Sequence, residues 1–440
     1  MSKKSVLSKE ENKTQSGSYF VSNYPPYSFW TTDQVDALHA TLKNRPAHQV
    51  PLGIYIHIPF CRRRCKFCYF KVYTDKKSGE IQSYLESVQE ELRIYARSPF
   101  VAKRKPAFIY FGGGTPSYLS TQQITTLTDH MKESLSWDEA QEVALECEPG
   151  TLTEKKLRII RDIGITRLSI GIEHFDDEIL QANGRAHLSK EIFRAYDSAL
   201  SLNFPQINID LIAGMVGETP DGWNTCVEKA ISMEPDSITI YQMELPHNTP
   251  ISRDMRIRGE RISPVADWKT KREWVCHAFH EFEKVGYTVT SGYTAVKDLS
   301  RGNFAYRDQL WKGADMIGLG VASFGHIGGI HYQNEPNFSS YISSLQQSTL
   351  PAYRALKLTA EETLIREMIL QLKLGTVSRD YFQEKFGVDI LSRFNKPLSN
   401  LKNEGLMEGT GDTMTLTREG LLRVDGLLPG FFLPQHQTLP

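Results

Sequence analysis

The 440-residue sequence has no stretch that stays apolar over the ~20 residues that a membrane-spanning helix needs. The glycine-rich segment Gly313–Ile330 is among the longest weakly polar stretches, and it contains Asp315 and His326. The start of the chain, MSKKSVLSKEENKTQ, also lacks the apolar core of a secretory signal. The sequence therefore predicts no membrane span and a cytoplasmic location.

Neither sign of charge is in excess. The 51 Lys and Arg residues and the 52 Asp and Glu residues give a net charge of −1. This balance offers no bulk electrostatic attraction for nucleic acid or an anionic membrane, and we predict no nucleic-acid partner. The shares of hydrophobic residues (40%) and charged residues (23%) are close to globular averages, which excludes a mainly disordered chain, a collagen-like repeat and a coiled coil.

Cysteine is scarce, since six cysteines in this length are too few for a disulfide-stabilised scaffold. Three of them, Cys61, Cys65 and Cys68, nevertheless fall within eight positions. Thiolates are soft ligands that suit an iron–sulfur cluster or zinc. A structural zinc site needs a fourth ligand, usually from a second close pair, and the sequence has no second cysteine pair. Three cysteines on a four-iron cluster would leave one iron free to bind a small molecule directly.

Positive charge surrounds these cysteines. Arg62, Arg63, Arg64 and Lys66 lie between them in the sequence. Thiolates and sulfides make a cluster anionic, so neighbouring cations fit the cluster interpretation.

Six apolar, β-branched runs alternate with stretches of helical periodicity between Gly53 and about Leu245. The runs are Ile54–Ile58, Phe108–Phe111, Val143–Glu146, Arg167–Ile170, Ile207–Ile212 and Ser237–Tyr241. This alternation predicts parallel strands joined by right-handed crossovers. We therefore expect an α/β fold, a partial to complete (β/α) TIM-like barrel. No G-x-G-x-x-G pattern opens a helix, which argues against a dinucleotide-binding sheet.

In such barrels, the loops at the carboxyl ends of the strands carry the function. Six candidate positions lie at or near these ends: Cys61, the block Gly112–Gly114, Glu146, Glu173, Asp210 and Met243. The sequence therefore predicts one functional site at that end of the barrel.

The composition divides the chain into three regions. Residues 1–50 hold a polar tail (1–18) and an aromatic arm (19–30, YFVSNYPPYSFW), residues 51–345 form the barrel and its extension, and residues 346–440 form a mainly helical, winged-helix-like domain. We interpret this C-terminal domain as a packing domain, because its basic residues are sparse. The arm is too aromatic to be free in water. A strap over an apolar patch and an arm beside the functional site both remain open.

The run Tyr55-Ile-His57-Ile-Pro-Phe-Cys61-x3-Cys65-x-Phe67-Cys68 resembles the radical S-adenosylmethionine (SAM) superfamily, and more narrowly the oxygen-independent coproporphyrinogen III oxidase-like family. The cysteine motif, the glycine block, the Asp210 strand and Gly318–Gly325 follow in that family's order. The resemblance implies a [4Fe–4S] cluster on three cysteines and one SAM molecule or two. It also implies reductive cleavage of SAM, hydrogen abstraction from a tetrapyrrole-type substrate, and an electron donor such as flavodoxin or ferredoxin.

The resemblance also assigns roles to single residues. It places Tyr55 close to the cluster and SAM, and Tyr55 is our candidate catalytic residue. The residues implied to bind SAM are Tyr55, Phe67, Gly113, Gly114, Thr115, Glu146, Glu173, Arg185, Asp210 and Met243. Taken without the resemblance, Glu146 could equally cap a helix, and Arg185 could form a surface salt bridge.

Three features depart from the family's patterns. Phe70 stands where the oxidase members have a fourth cysteine, and Glu173 stands where glutamine is frequent. Residues 1–50 precede the first strand, unlike in the haem-chaperone branch, and Tyr24-Pro25-Pro26 resembles the substrate-side arm of the oxidases. We expect a coproporphyrinogen III oxidase-like enzyme. The alternatives are a radical SAM C-methyltransferase, a haem-trafficking chaperone and a zinc-stabilised barrel without redox chemistry.

Overall fold

A twelve-stranded sheet organises the computed structural model. The structure describes Thr14 and residues 21–437 except 48, 261, 262, 303 and 410, so the predicted polar tail lies outside the described residues apart from Thr14. The strands of the large sheet are β1 (Leu52–Ile58), β2 (Pro106–Gly113), β3 (Glu142–Cys147), β4 (Arg167–Glu173), β5 (Gln206–Ala213), β6 (Ser237–Gln242), β7 (Thr288–Val289), β8 (Thr294–Val296), β9 (Asp315–Leu319), β10 (Phe324–Ile327), β11 (Ile330–Asn334) and β12 (Ala352–Lys357).

Seven neighbouring strands of this sheet are parallel, in the order β9 followed by β1 to β6. Antiparallel strands extend both edges, with β10 to β12 beside β9 and with β8 and β7 beside β6. In the part of the chain that the structure describes, no pairing joins β12 to β7, so the sheet stays open. The predicted α/β barrel is therefore confirmed in its partial form.

Helices connect the successive parallel strands and cover the sheet. They are α1 (Val35–Leu42), α2 (Ser78–Arg97), α3 (Thr121–Ser134), α4 (Glu154–Asp162), α5 (Asp177–Ala182), α6 (Ser189–Ser201), α7 (Pro220–Met233), α8 (Pro250–Arg258), α9 (Trp268–Lys284), α10 (Ala305–Trp311), α11 (Phe338–Gln346), α12 (Ala360–Leu372), α13 (Arg379–Phe386), α14 (Ile390–Arg393), α15 (Asn395–Asn403), α16 (Arg418–Leu422), α17 (Val424–Leu427) and α18 (Pro434–Gln437). Among these helices, none combines the length and the apolar character that crossing a membrane requires.

The six predicted strands all lie within β1 to β6, and the observed strands only lengthen them. Their apolar, β-branched runs are buried on both faces, as a parallel sheet covered by helices requires. The glycine-dense segment after α10 also forms strands, β9 and the start of β10. Gly318 permits their close approach, because a Cβ atom there would lie 2.0 Å from the carbonyl oxygen of Phe324.

A buried carboxyl group connects α2 to the end of β9. Glu91 accepts hydrogen bonds from the Gly320 N–H at 2.9 Å and from the Asn334 amide and the Tyr341 hydroxyl, both at 2.6 Å. All three partners donate, so the acceptor-only carboxylate satisfies them together. Glu91 therefore fixes the turn that follows β9 against α2 and α11.

The C-terminal region has its own apolar core around a small antiparallel sheet. The sequence over Met407–Thr417 predicts a short hairpin, and the strands β14 (Met407–Glu408) and β15 (Thr413–Leu416) form it. Strand β13 (Thr376–Ser378) pairs with β15 and completes the sheet. Strand β12 still belongs to the large sheet, although it follows residue 345, where the sequence places the end of the barrel region. The division into domains remains a prediction.

The apolar spacing over Thr359–Leu374 predicts an amphipathic helix, and helix α12 lies there, but both of its faces are buried. Its charged side chains have partners on the side predicted to face water. Arg366 donates to Asn23 Oδ1 at 2.9 Å, and Glu367 pairs with Lys385 at 2.8 Å. The pattern fails here because the arm and the C-terminal core cover the polar face of the helix.

The described part of the arm, residues 21–30, lies between the antiparallel edge of the large sheet and the C-terminal segment. The Tyr24 carbonyl oxygen lies 2.9 Å from His331 Nε2 on β11, and the Tyr24 hydroxyl lies 2.8 Å from His436 Nδ1. Trp30 stacks on the His331 ring with centroids 5.0 Å apart. Tyr24 is fully buried, whereas Tyr27 is 59% exposed. These contacts favour the strap over an arm that covers the functional site.

Candidate functional site

Four parallel strands each carry one partly exposed residue between buried neighbours, in the middle or the carboxyl-terminal half of the strand. These residues are Tyr55 in β1, Glu146 in β3, Gly171 in β4 and Asp210 in β5. Gly171 pairs with Asp210 in register, and Glu146 pairs with Ser169 two residues before Gly171. The register therefore places the four positions on one face of the sheet, and we call the space in front of them the pocket.

The three clustered cysteines lie on the loop that follows β1. Cys61 is buried, whereas Cys65 and Cys68 are partly exposed. Backbone hydrogen bonds fold the loop back on itself, from Cys61 N–H to the Tyr73 carbonyl at 3.1 Å and from Tyr73 N–H to the Pro59 carbonyl at 2.7 Å. The loop thus holds the predicted ligands at the edge of the pocket.

Two predicted site residues contact the thiols directly. Thr115 Oγ1 donates to Cys61 Sγ, and Arg185 Nη1 donates to Cys65 Sγ, both at 3.3 Å. Gly114 lies so close that a Cβ atom would be 3.0 Å from Cys61 Sγ. Burial raises the pKa of Cys61 to about 12 and that of Cys68 to about 11. Coordination to a metal ion deprotonates such thiols, so these cysteines would be ionised when they bind a metal centre.

The arrangement of the thiols fits an iron–sulfur cluster better than a single metal ion. Across the described ranges, no group of three or more His, Cys, Asp or Glu residues is placed to hold one ion. A zinc ion would need its ligands to converge on one point. In a [4Fe–4S] cluster each cysteine binds a different iron, so the three thiolates need only surround a larger group.

Glu146 is one of three carboxyl groups in the pocket, and it accepts two hydrogen bonds. The Tyr110 hydroxyl donates to Oε1 at 2.8 Å, and the Gly113 N–H donates to Oε2 at 2.9 Å. Desolvation, with a smaller contribution from the charge of Asp210, raises the pKa of Glu146 to about 7. A carboxylate can accept about four hydrogen bonds, so Glu146 keeps acceptor capacity for a ligand.

Asp210 and Glu173 complete this group, which we call the acid pocket (Glu146, Glu173 and Asp210). Asp210 accepts hydrogen bonds from Ser169 Oγ and Asn208 Nδ2, both at 2.9 Å. Burial raises the pKa of Asp210, and it raises the pKa of Glu173 to about 7. The ionised carboxylates repel one another, so a cationic ligand would favour their charged forms.

Arg185 bridges the acid pocket and the cysteine loop. Besides its contact with Cys65, it donates to the Gly171 carbonyl at 2.6 Å and lies 3.4 Å from Glu173 Oε1. Its buried Nε atom has no hydrogen-bond partner within the described part of the chain. Glu173 has a φ of 67°, a left-handed conformation that non-glycine residues rarely adopt and that is frequent at functional sites.

Tyr55 forms part of an aromatic wall (Tyr55, Tyr110 and Tyr306). Tyr55 stacks on Tyr110 with centroids 6.1 Å apart, and Tyr110 stacks on Tyr306 at 4.4 Å. The Tyr55 hydroxyl lies 3.2 Å from His57 Nδ1. Burial raises the pKa of Tyr55 well above its usual value and lowers the pKa of His57 to about 4. Both groups are therefore neutral near pH 7, and the catalytic role of Tyr55 remains a prediction.

Phe67 and Met243 lie together in a separate apolar cluster beyond β5 and β6. Met243 is buried with Ile212 and Met215, and Phe67 packs against this cluster. The Met243 carbonyl accepts a hydrogen bond from Lys271 Nζ at 2.7 Å. Contact of Phe67 and Met243 with SAM remains a prediction.

The sequence reasoning missed Tyr110 and Tyr306. Tyr110 precedes Gly112 by two positions in a strand, so the two-residue period could have placed it on the same face. Tyr306 lies on α10, and its position depends on how that helix packs against β2. No local sequence pattern reports that packing.

The chain is similar to known proteins over most of its length. Residues 55–230 match the family model of the Radical SAM superfamily. The heme chaperone HemW of Bacillus subtilis is 28% identical over 375 residues, which cover 84% of this chain and 96% of HemW. The oxygen-independent coproporphyrinogen III oxidase of Helicobacter pylori is 28% identical over 412 residues, which cover 89% of this chain and 87% of the oxidase.

A solved structure supports the fold. The coproporphyrinogen III oxidase (HemN) from Escherichia coli superposes with a TM-score of 0.79 over 93% of this chain and 96% of that chain, at 22% sequence identity. Radical SAM proteins use a [4Fe–4S] cluster and SAM, and the thiols of Cys61, Cys65 and Cys68 fit the cluster. Residues 55–230 thus resemble the radical SAM superfamily, and over most of its length the chain is similar both to coproporphyrinogen III oxidases and to HemW haem chaperones.

Proposed function

We propose that this chain is a coproporphyrinogen III oxidase-like radical SAM enzyme that cleaves SAM reductively and abstracts hydrogen from a tetrapyrrole-type substrate. The observation that carries the proposal is the bridge through Arg185, which connects Cys65 Sγ to the acid pocket. When bound, the cluster supplies one electron to SAM, and SAM supplies the 5′-deoxyadenosyl radical that removes a hydrogen atom. The residues of the chain would bind the cluster, orient SAM and enclose the radical.

The cysteine loop would hold the cluster through Cys61, Cys65 and Cys68. Thr115 and Arg185 donate hydrogen bonds to two of these sulfur atoms, which favours the thiolate over the thiol. Hydrogen bonds of this kind also orient metal ligands and tune the bound group.

The acid pocket would orient SAM, which carries an ammonium and a sulfonium group. Glu146 and Asp210 retain acceptor capacity, and their carboxylates attract both cationic groups. Arg185 offers the donor Nε to a carboxylate. The opposite charges of these side chains would give SAM one preferred orientation.

The aromatic wall would keep water away from the radical. Tyr110 is buried, and Tyr306 covers its ring face. A primary carbon radical reacts with the molecules that it meets, so enclosure protects the reaction. The neutral phenols add no charge to this part of the pocket.

A tetrapyrrole substrate is supported by the names of the relatives, since they are called coproporphyrinogen III oxidases and heme chaperones. The test is anaerobic reconstitution of the full chain, followed by product analysis with SAM, dithionite and coproporphyrinogen III. We expect 5′-deoxyadenosine together with a decarboxylated tetrapyrrole. If 5′-deoxyadenosine forms but coproporphyrinogen III is recovered unchanged, the oxidase assignment is wrong.

Replacement of Cys61, Cys65 or Cys68 by Ala is expected to abolish iron incorporation and visible absorbance after reconstitution. Cys276→Ala is the matched control, because Cys276 lies on α9 outside the cysteine loop. Full iron binding in a Cys65→Ala protein, or tight zinc binding with complete iron-free folding, would contradict the cluster assignment.

A second candidate, a radical SAM C-methyltransferase, is favoured by Phe70. This residue replaces the fourth cysteine of the oxidases, and it is 43% exposed and stacks on Tyr69 at 4.5 Å. With SAM that carries a deuterated methyl group, a methyltransferase would give a tetrapyrrole heavier by the labelled methyl, and an oxidase would not.

A third candidate, a haem chaperone, is favoured by the HemW relatives, which match most of both chains. Its signature would be stoichiometric haem binding without consumption of SAM. Haem titration beside the SAM-cleavage assay separates this candidate from both enzymes.

A further inference from the structure

Positive charge is concentrated on the loop that follows β1. Residues 61–80 contain seven Lys or Arg residues and two Asp or Glu residues, a net charge of +5, whereas the whole chain carries −1. The remaining 420 residues therefore carry −6. Most of these cations are exposed to solvent, so this excess of positive charge is larger than contacts with the cysteine ligands alone require.

The cations of the loop are exposed, and several are held in place. The exposed members are Arg62, Arg63, Arg64, Lys66, Lys71 and Lys77. Arg62 donates to the Ala186 carbonyl at 2.7 Å but also forms an ion pair with Glu148 at 3.2 Å, whereas Arg64 donates to the carbonyls of Cys68 and Asn248 at 3.1 and 3.2 Å. A carbonyl partner fixes a guanidinium group without neutralising it. Arg63 has no hydrogen-bond or ion-pair partner among the residues that the structure describes.

Helix α8 extends this charged surface. Its Ile251 N–H donates to the Lys66 carbonyl at 3.0 Å, which places the first turn of the helix against the loop. Arg253 and Arg256 follow on the helix and are exposed. We call the exposed cations of residues 61–77 and of α8 the basic face. The acids beside it are Asp75, Glu80, Glu148, Asp254 and Glu260, of which Glu148, Asp254 and Glu260 pair with Arg62, Arg253 and Arg258.

The basic face shares its loop with the cluster ligands. Cys65 and Cys68 belong to the same loop and are partly exposed, so a protein docked there would lie next to their thiols. Electrostatic complementarity of this kind steers association and orients the partner. Nucleic acid or an anionic membrane would also be attracted to positive charge, but neither would use the thiols beneath it.

We propose that the basic face is the docking surface for an acidic electron-transfer protein. The proposal rests on the proposed function, because it assumes that the cluster is reduced by a protein donor. One electron passes from the reduced donor to the cluster, so the donor is oxidised by one electron, the cluster is reduced by one electron, and no atom is transferred.

The test uses the reconstituted full chain and a flavodoxin as the probe. Lys71→Glu combined with Lys77→Glu reverses two exposed charges of the basic face outside the Cys61–Cys68 run. Lys396→Glu combined with Lys402→Glu is the matched control, because both lysines are exposed on α15 and the change in net charge is the same. Binding of oxidised flavodoxin is measured by calorimetry at low and high salt. SAM cleavage is measured with photoreduced flavodoxin and, separately, with dithionite.

We expect the basic-face variant to bind flavodoxin ~10-fold more weakly at low salt, and this difference to shrink as salt screens the charges. Its flavodoxin-driven cleavage should fall by a similar factor while its dithionite-driven cleavage stays unchanged, and the control variant should match the unmodified protein in both. Equal flavodoxin binding by both variants would overturn the proposal. The proposal would also be overturned if the basic-face variant lost binding to phosphatidylglycerol vesicles or DNA but bound flavodoxin as tightly as the unmodified protein. If flavodoxin binds as expected but dithionite yields no cleavage, the proposed function fails and the docking surface stands.

Discussion

Replacing Glu146 by Gln tests the acid pocket with the smallest change in shape. The carboxylate accepts hydrogen bonds from the Tyr110 hydroxyl and the Gly113 N–H. A glutamine amide keeps one acceptor oxygen and turns an NH₂ group toward the other donor. It also removes the negative charge that would face the cationic groups of SAM.

The size of the effect follows from the hydrogen bonds to the charged group. A hydrogen bond to a charged partner contributes roughly 1.5–3 kcal/mol. Loss of one such interaction with SAM corresponds to a ~10- to 150-fold rise in Kd. The cysteine loop does not contact Glu146 through any described hydrogen bond, so iron content should not change. The assay is equilibrium SAM binding to the reconstituted protein, with iron content measured beside it.

The same residue predicts a pH dependence. Its pKa is raised from 4.5 to about 7, so Glu146 is mostly protonated at pH 6 and mostly ionised at pH 8. SAM should therefore bind more tightly at pH 8 than at pH 6, and Glu146→Gln should flatten this difference.

Asp315→Asn is the control for both measurements. Asp315 is also buried and accepts a backbone N–H, from Gly328 at 2.8 Å, but it begins β9 at the opposite end of the strands. Unchanged SAM affinity in Glu146→Gln, or an equal loss in Asp315→Asn, would refute the reasoning.

Two further predictions concern stability. Glu91→Ala should lower the free energy of unfolding by ~3 kcal/mol or more, because three buried donors lose their acceptor. Glu86→Ala, at an exposed site on the same helix, should change the free energy of unfolding little. Thermal unfolding of the reconstituted proteins measures both changes. Tyr24→Ala should cost roughly 3–5 kcal/mol, as for other buried aromatic residues. Exposed Tyr27→Ala should stay within about 0.5 kcal/mol. A stable Tyr24→Ala protein that cleaves SAM but no longer converts substrate would instead place the arm at the functional site.

The parallel strands could be predicted from the sequence because their signal is local. A strand buried on both faces needs a continuous apolar, β-branched run, and the runs Ile54–Ile58 and Ile207–Ile212 meet that need within a few residues. The cysteine motif is equally local, since its spacing alone brings three thiols onto one loop.

The rest of the site depends on contacts between distant parts of the chain. Arg185 contacts Cys65 only because the loop after α5 packs against the cysteine loop, through the Lys66 N–H and the Asn183 carbonyl. The family resemblance identified Arg185 as a residue of the site, whereas the periodicity of the sequence did not indicate it. The surroundings of α12 were mispredicted for the same reason, because the residues that cover its polar side come from both ends of the chain.

The partly exposed positions Tyr55, Glu146, Gly171 and Asp210 separate the chemistry from the scaffold. Each of the strands β1, β3, β4 and β5 contributes one residue to the pocket, and the residues on either side of it are buried in the core. A substitution at Tyr55, Glu146 or Asp210 therefore changes the reaction environment without repacking the interior. Evolution can vary such positions at low cost to folding. Relatives that share this architecture at similar identity can accordingly diverge into an oxidase and a chaperone while their scaffold persists.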